Sequence, residues 1–148
     1  MDRNSVFEQL KIDEGVLYEI YLDHLGYPTF GVGHLITKDD PEHGLPVGTK
    51  VSPERVAECF ERDLTVAIDE CYQLYGPGTF NNFPGEVQEI VVNMMFNMGR
   101  PRLSGFKNFN AELVAADWNK AADEMVDSRW YKQVGARAHR LVERMRNA

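Results

Sequence analysis

The chain has 148 residues, a length suited to one domain, and 43% of them are apolar against 26% charged, which supports a packed core and excludes a disordered tail. Sixteen basic against 23 acidic residues leave a formal charge of -7, which opposes nonspecific attraction to nucleic acid or to anionic membrane surfaces. No apolar run approaches the ~18 residues of a membrane span, and MDRNSVFEQLKIDE lacks the basic-then-apolar layout of a secretory signal, so synthesis in the cytoplasm without membrane insertion is expected.

From Ser5 to Asp13, Val6, Phe7, Leu10 and Ile12 recur at roughly helical spacing behind Ser5 as a cap, which predicts a short amphipathic helix ending at Gly15. Between Leu17 and Ile36, aromatic and β-branched residues are broken by Gly26, Pro28, Gly31 and Gly33, the pattern of short antiparallel strands with tight turns. Asp39 to Gly48, DDPEHGLPVG, reads as an exposed loop. Ser52-Pro53-Glu54 starts a helix with a hydroxyl cap, a proline in the first turn and an acid near the positive helix end. Its apolar residues follow at threes and fours to about Leu74, before Gly76-Pro77-Gly78. Cys59 and Cys71 fall on this helix about 18 Å apart at 1.5 Å per residue, too far for a disulfide, and are expected as free thiols in the core. Pro84 to Met98, Ala111 to Val126 and Gly135 to Met145 read as further helices, separated by Gly99-Arg100-Pro101 and Ser104-Gly105. The C-terminal half is therefore expected to be a helical bundle.

Glu14, Asp23 and Thr29 stand where local structure would expose them. Two carboxylates and a hydroxyl are the parts needed to cleave a glycosidic bond: one acid for the leaving oxygen, and one carboxylate for the sugar carbon or its attacking water. Among 23 acids such a pair is commonplace, so these residues alone do not decide a function. LKIDEG at Leu10 to Gly15, IYLDHLGYPTFGVGH at Ile20 to His34, NMMFNMG at Asn93 to Gly99 and SRWYKQVGARAHR at Ser128 to Arg140 together resemble, in order, the phage-type lysozymes, the muramidase endolysins of T-even-like phages. The most specific part is the family pattern of Glu, eight residues, Asp or Cys, five residues, Thr, which Glu14, Asp23 and Thr29 match.

The resemblance implies a single α+β domain with a lysozyme-like two-lobed fold. A small antiparallel sheet lobe, about residues 14–52, and a helical lobe, about 75–148 plus the N-terminal helix, would be joined by the helix of about 52–74, with the substrate cleft between the lobes. It implies an inverting hydrolase of the β-1,4 bond between N-acetylmuramic acid and N-acetylglucosamine in bacterial peptidoglycan, without metal or organic cofactor. Glu14 would be the general acid, and Asp23 with Thr29 would orient the water. Leu35, Phe96, Asn97, Phe109, Glu124, Gln133 and Arg137 match positions that contact substrate or wall the cleft. A core role is expected for Phe96, while Phe109 is open between core and a sugar-stacking surface. Arg137 matches the arginine beside the catalytic glutamate.

By the same resemblance His34 would pair with Asp63, and Trp130 with Tyr131 would anchor the C-terminal helices. A metal role for His34 needs further ligands, and His24, His43 and His139 lie in no zinc-like spacing. The loop between Thr37 and Ser52 is shorter than in the longest family members, so a small helix is expected to be missing. A charge of -7 gives no long-range attraction to an anionic wall, which favours delivery, for instance on a virion; without a signal segment, release would need a holin-type membrane lesion, and a monomer is expected. The rival expectation is a noncatalytic peptidoglycan-binding or partner-binding module that keeps the fold.

Overall fold

A computed structural model describes residues 1–148 and contains eight helices and one three-stranded sheet. The order is α1 (Arg3–Glu14), β1 (Leu17–Leu22), β2 (Pro28–Gly31), β3 (His34–Leu35), α2 (Pro53–Tyr75), α3 (Pro77–Asn82), α4 (Gly85–Ser104), α5 (Lys107–Val114), α6 (Trp118–Val126), α7 (Arg129–Val134) and α8 (Ala136–Arg146). This is an α+β, lysozyme-like set of elements. The chain divides into two compact units, Phe7–Val66 and Met1–Val6 with Ala67–Ala148, so α1 and α2 each contribute to both.

In the Phe7–Val66 unit the sheet is antiparallel in the order β1-β2-β3, with Tyr21 opposite Thr29 and Leu22 opposite Pro28. β3 is only two residues long and pairs Leu35 with Thr29 and His34 with Phe30. Ile20, Phe30, Val56, Phe60 and Leu64 are buried, and the Phe7 ring meets Phe60 edge-on at 4.3 Å, tying α1 to α2. α1 begins earlier than expected. Its first-turn amides of Asn4 and Ser5 donate to Asp2 Oδ1, so Asp2, not Ser5, caps it. Ser52 does cap α2, accepting from the Arg55 amide at 3.1 Å.

The 39–48 segment lacks regular structure, as expected of a loop, but two of its acids are not exposed. Asp40 and Glu42 are each 9% exposed, because Arg55 on α2 reaches them through space. Its guanidinium grips Glu42 with two bonds of 2.9 and 3.0 Å and donates to Asp40 Oδ1 at 3.1 Å. That bond from Arg55 holds the Glu42 carboxyl below its usual pKa.

In the other unit α4 is the central helix: Val87, Ile90, Val91, Val92 and Met94 are all fully buried, so its apolar surface is not confined to one stripe. It is interrupted at Gly99, whose φ of 79° is left-handed, one residue before Arg100-Pro101. Arg100 then pairs with Glu70 of α2 at 2.7 Å. The single helix expected over Ala111 to Val126 is two. Ala116 takes a φ of 57°, and Asp117 caps α6 by accepting from the Lys120 amide, which stops one helix and starts the next. α3 and α7 were not expected. Pro77 at the first turn of α3 and Ser128, whose hydroxyl accepts from the Tyr131 amide at 3.1 Å, are their start signals. Trp130 is 1% exposed, as expected of an anchor. Cys59 and Cys71 are free and buried.

Candidate active site

Glu14 is the last residue of α1 and is half-buried. Its carboxyl lies against Gly33 in the turn between β2 and β3. A Cβ at that glycine would stand 2.8 Å from Glu14 Oε2, and its φ is +64°. Gly33 is thus both a turn residue and the space that Glu14 occupies. A side chain there would have to displace the carboxyl.

Asp23 and Thr29 are brought together by the hairpin that joins β1 to β2. Asp23 Oδ1 accepts the amides of Leu25 at 2.9 Å and Tyr27 at 2.8 Å, an Asx turn that shapes the loop. The Tyr27 carbonyl in return accepts the Asp23 amide and the Thr29 hydroxyl, both at 2.9 Å. The Asp23 carboxylate is therefore fixed through one oxygen, and the other, Oδ2, makes no hydrogen bond within the protein. Thr29 is 3% exposed. Because its proton is directed at Tyr27, its oxygen is oriented as an acceptor.

A fourth group that sequence reasoning missed stands close to both carboxylates. Burial raises the pKa of the Tyr21 phenol, and the negative charges of Glu14 and of Asp23 raise it further. Its position on β1 directly opposite Thr29 is the only signal that would have found it. Leu35, opposite Thr29 on the other side, is 49% exposed.

The remaining site candidates lie in the helical unit. Arg137 on α8 is 6% exposed, and its Nε donates to Asn93 Oδ1 at 2.9 Å while a terminal nitrogen donates to the Asn93 carbonyl at 3.2 Å. Asn93, buried on α4, was quoted only as part of a motif, since nothing in its local sequence announces a partner 44 residues away. Asn97 is exposed on α4 and its amide oxygen accepts the Trp130 indole N–H at 2.8 Å, leaving its NH₂ for a ligand. Gln133 is exposed on α7.

Phe96 is half-buried, not the core residue expected, whereas its neighbours Met94 and Met95 are buried. Phe109 resolves the other way. At 1% exposure it cannot offer an open ring face to a sugar, and it meets solvent only as a wall of a pocket of about 180 Å³. Lys107, Asn108, Glu124, Asp127 and Ser128 also line this pocket, which places two of the expected residues, Phe109 and Glu124, together.

His34 pairs with Asp63 as the resemblance implied, Nδ1 to Oδ2 at 2.7 Å. A second carboxylate was not foreseen: Asp40 Oδ2 stands 2.9 Å from Nε2. Burial disfavours the charged imidazole, but the bonds to Asp63 and Asp40 outweigh it and raise its pKa above the usual value.

The charge of the molecule is unevenly spread. Phe7–Val66 holds twelve acidic and five basic side chains, while the other unit holds eleven of each, so the whole excess of seven negative charges lies in the unit that carries Glu14, Asp23 and Thr29. No helix is long and apolar enough to cross a membrane.

The chain is 31% identical over 156 aligned positions to "Probable T4-type lysozyme 2" of Dictyostelium discoideum, covering 94% of this chain and 92% of the relative. It is 30% identical to the "Pre-baseplate central spike protein Gp5" of Enterobacteria phage T4, over 93% of this chain but 27% of that protein. It is also 34% identical to the "Peptidoglycan hydrolase gp36" of Pseudomonas phage phiKMV, over 86% of this chain and 13% of that protein. Residues 11–148 match the family described as Phage lysozyme, and the chain belongs to that family.

Proposed function

We propose that the chain is an inverting muramidase that hydrolyses the β-1,4 bond between N-acetylmuramic acid and N-acetylglucosamine in bacterial peptidoglycan. Family membership makes it a glycoside hydrolase of the lysozyme type, and the hydrolase of phage phiKMV carries peptidoglycan in its name. The observation that carries the finer reading is the shared Tyr27 carbonyl. That carbonyl accepts the Asp23 amide and the Thr29 hydroxyl, the Tyr27 amide in turn donates to Asp23 Oδ1, and Asp23 Oδ2 and Thr29 Oγ1 remain as acceptors for a water.

A water that donates both protons to these acceptors turns a lone pair toward the anomeric carbon. As the C–O bond breaks, Glu14 gives its proton to the leaving oxygen, and Asp23 takes the proton released by the attacking water. A hydroxyl beside the second carboxylate serves a positioned water and has no use if Asp23 attacks the sugar itself. Inversion is therefore the outcome this arrangement favours, with carboxyl groups roughly 6.5–9.5 Å apart to admit the water. Leu35, Phe96, Asn97, Glu124 and Gln133 serve as contacts to the wall polymer, and the buried Phe109 and Arg137 support them from within.

The experiment is wall clearing followed by product NMR. Glu14→Gln should lower clearing of isolated walls at least 100-fold with the fold intact, because an amide donates no proton to the leaving sugar. Activity within tenfold of the parent removes Glu14 from the role. A fresh digest should contain the α-anomer first, and a β-anomer formed first overturns inversion while leaving hydrolysis standing. The parent's failure to clear walls would favour the binding-module reading. The likeness to a spike protein and the concentration of negative charge beside the triad support delivery by a virion in place of long-range capture by the wall.

A further inference from the structure

Away from the triad, three different ligating chemistries converge in the Phe7–Val66 unit. The imidazole of His34 on β3, the carboxylate of Asp40 in the loop and the thiol of Cys59 on α2 bring their ligand atoms within 4.8 Å of one another. Asp40 is 9% exposed and Cys59 1%. We propose that His34 Nε2, Asp40 Oδ2 and Cys59 Sγ bind a divalent cation of zinc type, with a water in the fourth position, as a clamp between β3, the loop and α2. This does not rest on the hydrolase reading.

The donor set selects the ion. A thiolate, an imidazole and a single carboxylate suit a borderline-soft, tetrahedral cation and disfavour calcium or magnesium, which take oxygen donors. Ligands held at about 2.0–2.3 Å from zinc in a tetrahedron lie roughly 3.3–3.7 Å from each other. The 4.8 Å span therefore needs about 1 Å of side-chain adjustment.

The outer shell is already assembled. Histidines that bind metal through one nitrogen usually give the other N–H to a carboxylate, and ligating carboxylates are themselves held by donors. Here Asp63 holds Nδ1 at 2.7 Å, which leaves Nε2 facing Asp40, while Arg55 holds Asp40 Oδ1 at 3.1 Å and the Thr37 amide and hydroxyl orient Oδ2, at 2.9 and 3.3 Å, on the His34 side. The charge balance also favours a dication. Asp40, Glu42, Glu58 and Asp63 are four carboxylates against two guanidiniums, Arg55 shared by Asp40, Glu42 and Glu58, and Arg62 paired with Glu58. On binding, the metal–nitrogen, metal–oxygen and metal–sulfur bonds form while the Nε2 and thiol protons pass to solvent.

Sequence spacing conceals the group. His34 and Asp40 are six residues apart with no CxxC or HxxxH pattern, and Cys59 joins them only through the packing of α2.

The test uses the whole chain, stripped with a chelator and reduced with a phosphine. One equivalent of Co²⁺ should give a thiolate-to-cobalt charge-transfer band in the near ultraviolet and tetrahedral visible bands, both bleached by Zn²⁺. Cys71→Ser, in which Cys59 is the only thiol, should keep the band, and Cys59→Ser should lose it. Zn²⁺ at a hundredfold excess over its dissociation constant should raise Tm by about 5 °C or more. No band in Cys71→Ser overturns the proposal, whether or not Cys59→Ser folds. So does a band that survives in Cys59→Ser, or an unchanged Tm; each would leave His34 as a hydrogen-bonded link between two carboxylates.

Discussion

Replacing Asn93 by Ala tests whether the buried guanidinium of Arg137 depends on it. The carboxamide oxygen accepts Arg137 Nε at 2.9 Å, and Asn93 is 1% exposed and Arg137 6%, so no solvent stands ready to replace the bond. The backbone carbonyl of residue 93, at 3.2 Å from a terminal nitrogen, survives the substitution. A hydrogen bond to a charged group contributes about 1.5–3 kcal/mol, and a guanidinium left short of one partner pays the upper part of that range, so a loss of about 2–3 kcal/mol is expected. For a chain of this length, unfolding entropy converts that to a fall in Tm of roughly 7–10 °C. Thermal and urea unfolding of the parent, Asn93→Ala, Arg137→Met and the double variant would measure it, and the cycle should return a coupling of at least about 1 kcal/mol. A Tm within 2 °C of the parent, or two single effects that simply add, would show that Arg137 is held by other groups.

Gly33→Ala should cost about 1–3 kcal/mol from its left-handed backbone and, because its Cβ would stand 2.8 Å from Glu14 Oε2, should lower wall clearing more than tenfold at temperatures where the variant stays folded. Clearing within twofold of the parent would show that the Glu14 carboxyl does not need that space. Because the excess negative charge lies in the unit of the triad, raising salt from about 10 to 100 mM should at least double the initial clearing rate by screening repulsion from an anionic wall; a fall would refute the repulsion. The bond from Arg144 holds the Glu86 carboxyl below its ordinary pKa. Its stabilisation should thus be complete above the unfolded value of 4.5 and fade as pH falls through the lower folded value. With the Glu86 side chain 45% exposed, the effect should stay below about 0.5 kcal/mol, measured as the stability gap between parent and Glu86→Gln. A gap that is the same at pH 6 and pH 2.5 would refute it.

What was legible in the sequence was what is encoded locally. The Ser52 cap and the apolar repeat of α2, the glycine-punctuated strands and the glycine stop at position 76 each express a propensity within one element, and each has its counterpart in the fold. Glu14, Asp23 and Thr29 stood out by family pattern alone, and the hairpin supplies a physical reason for the spacing of the last two: Asp23 and Thr29 share the Tyr27 carbonyl from either side of the turn. The residues that escaped are those whose state is set by a partner far along the chain. Asp40 and Glu42 look like solvated loop acids until Arg55 is placed 13–15 residues away, and Asn93 looks like an ordinary helix amide until Arg137 arrives. The break at Ala116 escaped for a different reason. Alanine is the best helix former, and only the cap at Asp117 competes with it.

The site therefore rests on a sheet that could not hold it by ladder bonds alone. β3 offers two residues of pairing, and β1 slips register between Leu17 and Tyr21, so few backbone bonds fix the strand that carries Thr29. Side chains supply the missing constraints at both ends of that strand. At the hairpin, Asp23 Oδ1 replaces ladder partners for the amides of Leu25 and Tyr27. At the other end, His34 lies opposite Phe30 and is gripped by Asp63 from α2 and Asp40 from the loop. Thr29 and Leu35, paired with each other between these two anchors, take their positions from polar contacts that are not themselves part of the chemistry. A short sheet of this kind is held by side-chain oxygens as much as by its ladder: in Asp23, Oδ1 shapes the turn while Oδ2 takes no part in it.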